Sequence, residues 1–293
     1  MADSDAQAGP DILVGLIGAP IRHSASPAIH EAAARALGLR LFYHLIEVPD
    51  AGEARLRAML DGIRYLGFAG VNVTYPYKEA VVPLLDEVAP DAAAIGAVNT
   101  VVVRRERLIG HNTDTTGFAR ACARILGPIA GRTVALVGAG GVGKAIGFAL
   151  AGSRIGELRI YDRDAGKAAG LARTLAGRIA ARACGSVAEA LSGAEGLVNA
   201  TPVGMLPSRD TPVPTALLRP DLWVADVVYS PLWTPLLAAA RDLGARVMTG
   251  RELTIDQGLD AFRLFTGAEA SRDAMSAAFD AAIATRATME RVS

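Results

Sequence analysis

The sequence predicts an α/β protein of two domains, the second of them inserted into the first. Strand and helix signals alternate along most of the chain, a glycine-rich turn joins an apolar strand to a helix near its middle, and two helices close it. At 293 residues the chain also exceeds the usual size of a single core. We expect a first domain over residues 1–113, completed by 249–293, and a second domain over 114–248.

The elements of the first domain follow from local patterns. Short runs of apolar and β-branched residues predict strands, and apolar residues at helical spacing predict helices. We expect a mostly parallel sheet, because helices connect most of its strands. The strands are predicted at 12–17, 41–48, 70–74 and 99–103, the last paired with 107–110 as a hairpin or edge, and the helices at 27–37, 54–60 and 78–85.

The remaining predicted elements again alternate between strands and helices as far as Thr249, and only helices follow. Their order is that of a doubly wound sheet, and after Thr249 two helices are expected to return and cover the first domain. Met275, Phe279 and Ile283 recur every four residues, which predicts a buried face. The elements are a helix at 115–126, strands near 133–138, 158–162, 196–200, 223–228 and 245–248, and helices at 255–266 and 269–290.

The composition excludes several classes of function. Thirty basic and thirty acidic residues cancel and form no blocks, so neither a nucleic acid nor a membrane surface is an expected partner. Cys122 and Cys184 lack metal-ligand spacing, and no metal site is predicted. The polar residues 1–10 do not resemble a signal peptide. We expect a cytoplasmic protein, monomeric or homodimeric, that binds a small molecule.

The turn at the start of the second sheet carries three glycines with separate tasks. Gly138 permits a tight turn, Gly140 lets the backbone approach a diphosphate, and Gly143 lets the following helix pack closely on the sheet. Gly141 and Val142 complete the turn at a helix N-terminus, which favours an anion. These residues predict a Rossmann dinucleotide site, with a turn that holds no ligand as the alternative.

The end of the next predicted strand bears on the choice of cofactor. Asp162 follows Gly138 by 24 residues, where an acid binds the ribose 2′-hydroxyl and repels a 2′-phosphate, so NAD is favoured over NADP. Arg163 would instead hold a phosphate or stack on adenine. Lys167 would reach the pyrophosphate. An ordinary turn role for Asp162 and a solvated position for Lys167 remain as alternatives.

The first domain contains two clusters of polar side chains that the packing of its core does not explain. Ser24 and Ser26 precede Pro27 at a helix start, so that Ser26 is an N-cap, or else both hydroxyls hold a substrate carboxylate. Lys78 is expected at another helix start, where the dipole disfavours a cation. Such a misfit marks a candidate for function, with a solvated lysine as the alternative.

Six ordered motifs carry a resemblance to a known family. They are HSxSP at 23–27, NVTxPxK at 72–78, GAVNT at 96–100, GxNTD at 110–114, GAGGxG at 138–143 and a glutamine at 257. In this order they resemble the shikimate dehydrogenase family, including its quinate/shikimate dehydrogenase branch. The resemblance runs from residue 15 to residue 267 of the chain.

The resemblance implies a reversible oxidation of the 3-hydroxyl of shikimate or quinate to the 3-dehydro ketone, with NAD as hydride acceptor, in the shikimate pathway of aromatic amino acid biosynthesis. It implies that Ser24 and Ser26 bind the carboxylate and that Lys78 is the general acid/base. Asp114 is a second candidate catalytic residue, which would orient the lysine and bind the same hydroxyl, and the division of proton transfer between Lys78 and Asp114 is not specified. The other implied contacts are Thr74, Asn99, Asp114 and Gln257 to ring hydroxyls, Tyr229 near the substrate, and Thr201, Pro202, Val203, Gly204, Val227 and Gly250 to the nicotinamide end of the cofactor.

Three alternatives stay open. One is an NADP-dependent biosynthetic shikimate dehydrogenase, although residues 161–164 lack the Asn-Arg-Thr-like segment of those enzymes. The second is another Rossmann oxidoreductase, such as a methylenetetrahydrofolate dehydrogenase, which Ser24, Ser26 and Asp114 disfavour. The third is a non-catalytic NAD-binding regulator of the same fold, which Lys78 and Asp114 disfavour. The preference between shikimate and quinate is not specified.

Overall fold

The computed structural model describes residues 11–292, with side chains described as far as residue 286. Residues 1–10, expected as a polar tail, lie outside the described part. The chain forms two compact units, one of Met1–Thr113 and Gln257–Ser293 and one of Asp114–Asp256. The second boundary therefore lies between Asp256 and Gln257, whereas the sequence predicts it after residue 248.

The first unit is built on a six-stranded sheet with the order β2-β1-β3-β5-β6-β4. β1 pairs in parallel with β2 and β3, and β4 with β6, while β3–β5 and β5–β6 are antiparallel. The sheet is thus mixed, because Arg105 and Glu106 form a tight hairpin turn with φ of 49° and 60°. Its strands are β1 (Ile12–Gly18), β2 (Leu41–Glu47), β3 (Phe68–Val73), β4 (Glu87–Val88), β5 (Thr100–Arg104) and β6 (Arg107–His111).

The helices of the first unit pack on this sheet and on each other. They are α1 (Ser26–Ala36), α2 (Glu53–Tyr65), α3 (Pro90–Ile95) and α10 (Arg272–Val292), together with the part of α9 (Gly250–Thr266) that follows Asp256. α10 contacts α1, and Met275 and Phe279 are fully buried, which confirms the predicted apolar face.

The prediction of a helix over 78–85 is wrong. Those residues form a turn followed by a short 3-10 helix, Val82–Leu84. Pro83 accounts for the difference, because it has no N–H to donate to the carbonyl four residues earlier and its ring clashes with that carbonyl.

The second unit contains six strands in the order β12-β11-β10-β7-β8-β9, and all neighbouring strands are parallel. This confirms the doubly wound prediction and puts the reversal of strand order between β7 and β10. The strands are β7 (Thr133–Val137), β8 (Glu157–Tyr161), β9 (Ala180–Ala183), β10 (Gly196–Asn199), β11 (Trp223–Asp226) and β12 (Val247–Met248), and the helices are α4 (Asp114–Ile125), α5 (Gly141–Gly152), α6 (Ala165–Leu175), α7 (Val187–Leu191) and α8 (Pro235–Asp242).

Both faces of the second sheet are buried. Val134 and Leu136 of β7 belong to one apolar cluster, and Ala135 and Val137 belong to the cluster on the other face. A parallel sheet covered by helices on both faces requires such continuous apolar strands. Among residues 11–292, no helix combines the length and apolar character that a bilayer crossing requires.

Candidate functional site

The polar residues of the first unit converge at one edge of its sheet. β1, β2 and β3 are parallel and end at the same edge, and β5 begins there because Asn72 pairs with Thr100 in the antiparallel ladder. β6 ends there in turn, since Thr100 pairs with His111. A Cβ added to Gly18 would lie 2.3 Å from Thr74 Cγ2, so the ends of β1 and β3 are in contact. The edge carries the segments that contain Ser24, Ser26, Thr74, Lys78 and Asn99.

The serine pair occupies the start of α1. Ser24 Oγ donates to Ser26 Oγ at 3.1 Å and accepts from the Ser26 N–H at 3.2 Å. The N-cap position of α1 is Ala25, and no side chain caps the helix there. The N-cap alternative for Ser26 is therefore wrong, because Ser26 is already the first helical residue. Two half-buried hydroxyls thus stand at the helix N-terminus, and Ser26 is not the N-cap residue.

Asn99, Thr113 and Gln257 form one hydrogen-bonded cluster. Asn99 Oδ1 accepts from the Thr113 N–H at 2.8 Å, and Asn99 Nδ2 donates to Thr113 Oγ1 at 2.9 Å and to Gln257 Oε1 at 3.4 Å. The Thr113 hydroxyl also donates to Gln257 Oε1 at 3.2 Å. Thr113 lies inside the motif at 110–114 but is not among the site residues predicted from the sequence.

Asn72 supports this cluster through hydrogen bonds to Asn99 and Thr100. Its Oδ1 accepts from the Tyr43 hydroxyl at 2.8 Å, and its Nδ2 donates to the Asn99 carbonyl at 3.2 Å and to Thr100 Oγ1 at 3.0 Å. Only 6% of Asn72 is exposed. This buried amide was also missed, and its signal was a polar residue within the apolar strand β3.

Lys78 lies on a turn whose backbone is held by several contacts. Its carbonyl accepts from the Val98 N–H at 2.8 Å, which places it beside the residue that precedes Asn99. The buried Tyr77 hydroxyl donates to the Val48 carbonyl at 2.5 Å and accepts from the Ala51 N–H at 2.8 Å. The helix-dipole reasoning for Lys78 no longer applies, but the side chain is half-buried at the edge that carries the other polar groups.

Asp114, the first residue of α4, belongs to the second unit and is 4% exposed. Tyr229, which follows β11 in the same unit, is half-buried. Within the described residues no group of histidine, cysteine and acidic side chains would hold a metal ion.

The glycine turn of the second unit has the geometry that the sequence predicts. Gly138 has φ of 102°, and a Cβ there would lie 2.8 Å from the Ala200 carbonyl oxygen. A Cβ on Gly143 would lie 2.1 Å from the Gly138 oxygen, so the close packing of α5 requires glycine. Gly140 differs from both, because its φ is −77° and a Cβ there would meet nothing within 4 Å.

The open space at Gly140 bears on whether the diphosphate of a dinucleotide fits this turn. No protein atom fills the space beside Gly140, so a bound group can approach the backbone closely in front of α5. The N–H groups of the first turn of a helix, here supplied by Gly141, Val142 and Gly143, are suited to a diphosphate. The turn therefore fits the diphosphate of a dinucleotide.

The two acids after β8 have different partners. Asp162 accepts from the Ala139 N–H at 2.7 Å and from the Asp164 N–H at 2.9 Å. Asp164 caps α6 by accepting from the N–H groups of Gly166 and Lys167. A carboxylate has about four lone-pair positions, so Asp162 retains capacity for a ribose hydroxyl. Arg163 and Lys167 are exposed beside it.

The segments expected at the nicotinamide end meet at the same edge of the second sheet. A Cβ on Gly138 would lie 2.8 Å from Thr201 Cγ2, and a Cβ on Gly250 would lie 2.5 Å from the Val227 oxygen. The residues gathered there are Thr201, Pro202, Val203 and Gly204 after β10, Val227 after β11, and Gly250 at the start of α9.

Comparisons with known proteins agree with this organisation. The model of the shikimate dehydrogenase substrate binding domain matches residues 16–101, and that of the ornithine cyclodeaminase/mu-crystallin family matches residues 113–209. A quinate/shikimate dehydrogenase (NAD(+)) of Corynebacterium efficiens is 46% identical over 276 residues, which is 92% of this chain and 97% of the relative. A shikimate dehydrogenase (NADP(+)) of Streptomyces avermitilis is 45% identical, covering 88% of this chain and 91% of the relative.

A solved structure extends the similarity to the fold. Quinate dehydrogenase from Corynebacterium glutamicum in complex with NAD has a TM-score of 0.84 and 40% identity to this chain. The match covers 93% of this chain and 100% of that one. The similarity therefore includes both units.

Proposed function

The chain belongs to the shikimate dehydrogenase family, and we propose that it reversibly oxidises the 3-hydroxyl of shikimate or quinate to the 3-dehydro ketone with NAD as hydride acceptor. The observation that carries this proposal is the gathering of Ser24, Ser26, Thr74, Lys78 and Asn99 at one edge of the first sheet. The substrate would bind the first unit and the cofactor the second unit.

The polar groups of the first unit suit a hydroxylated carboxylic acid. The Ser24 and Ser26 hydroxyls at the N-terminus of α1 would donate to the carboxylate, since a helix N-terminus favours an anion. Amide and hydroxyl side chains both donate and accept, as ring hydroxyls do. Thr74, Asn99 and Gln257 would bind those hydroxyls, with Asp114 and Tyr229 as further contacts.

Lys78 would exchange the proton of the reacting hydroxyl. The chain contains three lysines among its thirty basic residues, the other 27 being arginines. Arginine stays protonated in proteins, whereas a lysine ammonium can release its proton. A lysine at position 78, in a chain that uses arginine almost everywhere else, supports a role that requires proton transfer. Asp114 would bind the same hydroxyl or orient the ammonium.

The fold of the second unit suits NAD. NAD, when bound, accepts the hydride from the carbinol carbon. The Gly138–Gly143 turn would hold its diphosphate, with Lys167 nearby, and Asp162 would bind the adenosine ribose. The Asp162 charge favours NAD, although one relative described above is named for NADP(+).

The direct test is the initial rate of the purified protein with each pairing of shikimate or quinate with NAD or NADP. We expect turnover with at least one acid and a higher kcat/KM with NAD than with NADP. NADH binding without turnover of either acid would instead favour the non-catalytic regulator.

We further propose a cytoplasmic location, because the two free cysteines suit a reducing compartment. We also propose that the protein is a monomer or a homodimer, and light scattering would distinguish the two.

A further inference from the structure

Asn199 and Asp226 form a buried polar pair at the carboxyl ends of β10 and β11. The two residues are opposite each other in the parallel ladder, and Asn199 Nδ2 donates to Asp226 Oδ1 at 2.9 Å. Their exposed fractions are 0% and 1%. Asn199 is also paired with Val137, the last residue before the Gly138 turn. The pair therefore lies at the edge proposed above for the cofactor.

Asn199 holds the loop that follows it. Its Oδ1 accepts from the Thr201 N–H at 3.0 Å and from the Thr201 hydroxyl at 2.7 Å, while its Nδ2 also donates to the Val203 carbonyl at 3.1 Å. The Val203 N–H in turn donates to Thr201 Oγ1 at 3.2 Å. One amide thus fixes the backbone of both Thr201 and Val203.

Asp226 holds two further segments. Its Oδ1 accepts from the Val228 N–H at 3.0 Å, and its Oδ2 accepts from the Thr234 hydroxyl at 2.8 Å. Thr234 is the N-cap of α8 and accepts from the Leu237 N–H at 3.2 Å. The carboxylate therefore connects the segment at 227–229, the start of α8 and, through Asn199, the loop at 201–204.

The Asp226 charge is unfavourable in this position. Within the described residues no cationic side chain pairs with Asp226, and burial raises its pKa to about 6, against the opposing effect of the three hydrogen bonds. Moving a charged carboxylate out of water costs free energy. An uncharged side chain of similar size would fill the same space without that cost. A carboxylate nevertheless accepts from three donors and presents no competing N–H, which an asparagine of the same size cannot do.

We propose that Asn199 and Asp226 are positioning residues for NAD, acting by fixing the backbone at 201–204 and 227–229. This inference rests on the proposed function, which assigns those two segments to the nicotinamide end of the cofactor. Neither side chain needs to contact the cofactor in order to act in this way.

The experiment compares NADH binding, measured by nicotinamide fluorescence, among the wild type and four variants. Asp226→Asn keeps the size of the side chain but replaces one acceptor oxygen by an NH2 group, which leaves one buried donor without an acceptor. Thr234→Val removes one donor together with the α8 cap, and Thr234→Ser restores both. Asp221→Asn is the matched control, since it removes a charge that is 74% exposed just before the same strand.

We expect Asp226→Asn and Thr234→Val to raise the Kd for NADH by about tenfold, the scale of one unsatisfied buried hydrogen-bonding group. Thr234→Ser and Asp221→Asn should bind like the wild type. KM for shikimate or quinate and the melting temperature should change little in Asp226→Asn, because removal of a buried charge offsets the loss of one hydrogen bond.

Unchanged NADH binding in both Asp226→Asn and Thr234→Val would overturn the proposal. So would a parallel loss of NADH binding, substrate affinity and melting temperature, which indicates general destabilisation. NADH binding and the melting temperature need no turnover, so these two measurements decide the proposal even if the wild type oxidises neither acid and KM is not measurable. A wild type that binds NADH but oxidises neither acid would refute the proposed function alone.

Discussion

The Asp162 carboxylate accepts a hydrogen bond from the Ala139 N–H at 2.7 Å, which fastens the end of β8 to the glycine turn after β7. It also accepts from the Asp164 N–H at 2.9 Å. The acid proposed to bind ribose is therefore held in place by the protein itself. Such preorganisation lowers the cost of binding, because little side-chain freedom is lost.

The first prediction concerns Asp162, the residue proposed to bind the adenosine ribose and to favour NAD over NADP. Asp162→Asn should lower the kcat/KM preference for NAD over NADP by about tenfold or more, because the repulsion between a carboxylate and a 2′-phosphate is removed. Asp164→Asn is the control, since asparagine also caps a helix well and the charge removed is only two positions away. An unchanged ratio in Asp162→Asn, or an equal change in both variants, would show that Asp162 does not select the cofactor.

The second prediction uses two glycines of one turn. Gly140→Ala should leave the melting temperature unchanged, because a Cβ there meets no atom within 4 Å, but should weaken NADH binding. Gly143→Ala should destabilise the protein, because its Cβ would lie 2.1 Å from the Gly138 oxygen. Calorimetry and a fluorescence titration measure both effects. Normal NADH binding by Gly140→Ala would argue against a diphosphate at this turn.

Local patterns were sufficient to predict the elements that position this turn. The apolar run of β7, the glycine spacing and the start of α5 are all contiguous, so no long-range information was needed. β9 was missed because Ala180–Ala183 consists of alanines and an arginine, which have weak strand preference. The helix predicted from Lys78 failed because Pro83, which the pattern of apolar residues ignored, cannot lie inside a helix.

The polar networks were less predictable than the elements. Asn199 and Asp226 are paired through strand register, and Thr113 bonds to Gln257 from 144 positions away. Nothing in a single sequence specifies such partners. The available signal was a polar residue at the end of an apolar strand, a position where burial requires hydrogen-bonding partners.

The third prediction separates substrate binding from helix capping. Ser26→Ala should raise KM for shikimate or quinate by about tenfold, the scale of a lost hydrogen bond to a charged group, without lowering stability. Ser186 is a suitable control, because its hydroxyl caps α7 by accepting from the Glu189 N–H at 3.1 Å. Ser186→Ala should cost about 1 kcal/mol of unfolding free energy and leave KM unchanged. A stability loss in Ser26→Ala with normal KM would restore a structural role for Ser26.

The fourth prediction concerns a buried histidine. His30 is fully buried, neither of its ring nitrogens has a hydrogen-bond partner in the described structure, and its ring centroid lies 4.9 Å from that of Tyr43. Burial lowers its pKa from 6.5 to about 3. The unfolded chain therefore binds a proton that the folded chain does not, so stability present above pH 6.5 is lost as the pH falls toward 3.

His30→Leu should remove this acid sensitivity. In the wild type we expect His30 to account for a loss of about 2 kcal/mol in unfolding free energy between pH 6.5 and pH 5. Denaturant unfolding across this range measures it, with His44→Leu, at an exposed position of β2, as the control. Equal pH dependence in His30→Leu and the wild type would refute the prediction.

The central claim is that Lys78 transfers a proton, and Lys78→Arg tests it most directly. Arginine keeps the positive charge and a similar length but does not release its proton. We predict that kcat falls by about 100-fold to 10,000-fold, as it should in Lys78→Ala, with KM for the acid and NADH binding little changed. A Lys78→Arg enzyme with near-normal kcat would contradict the account, because a fixed charge would then be sufficient.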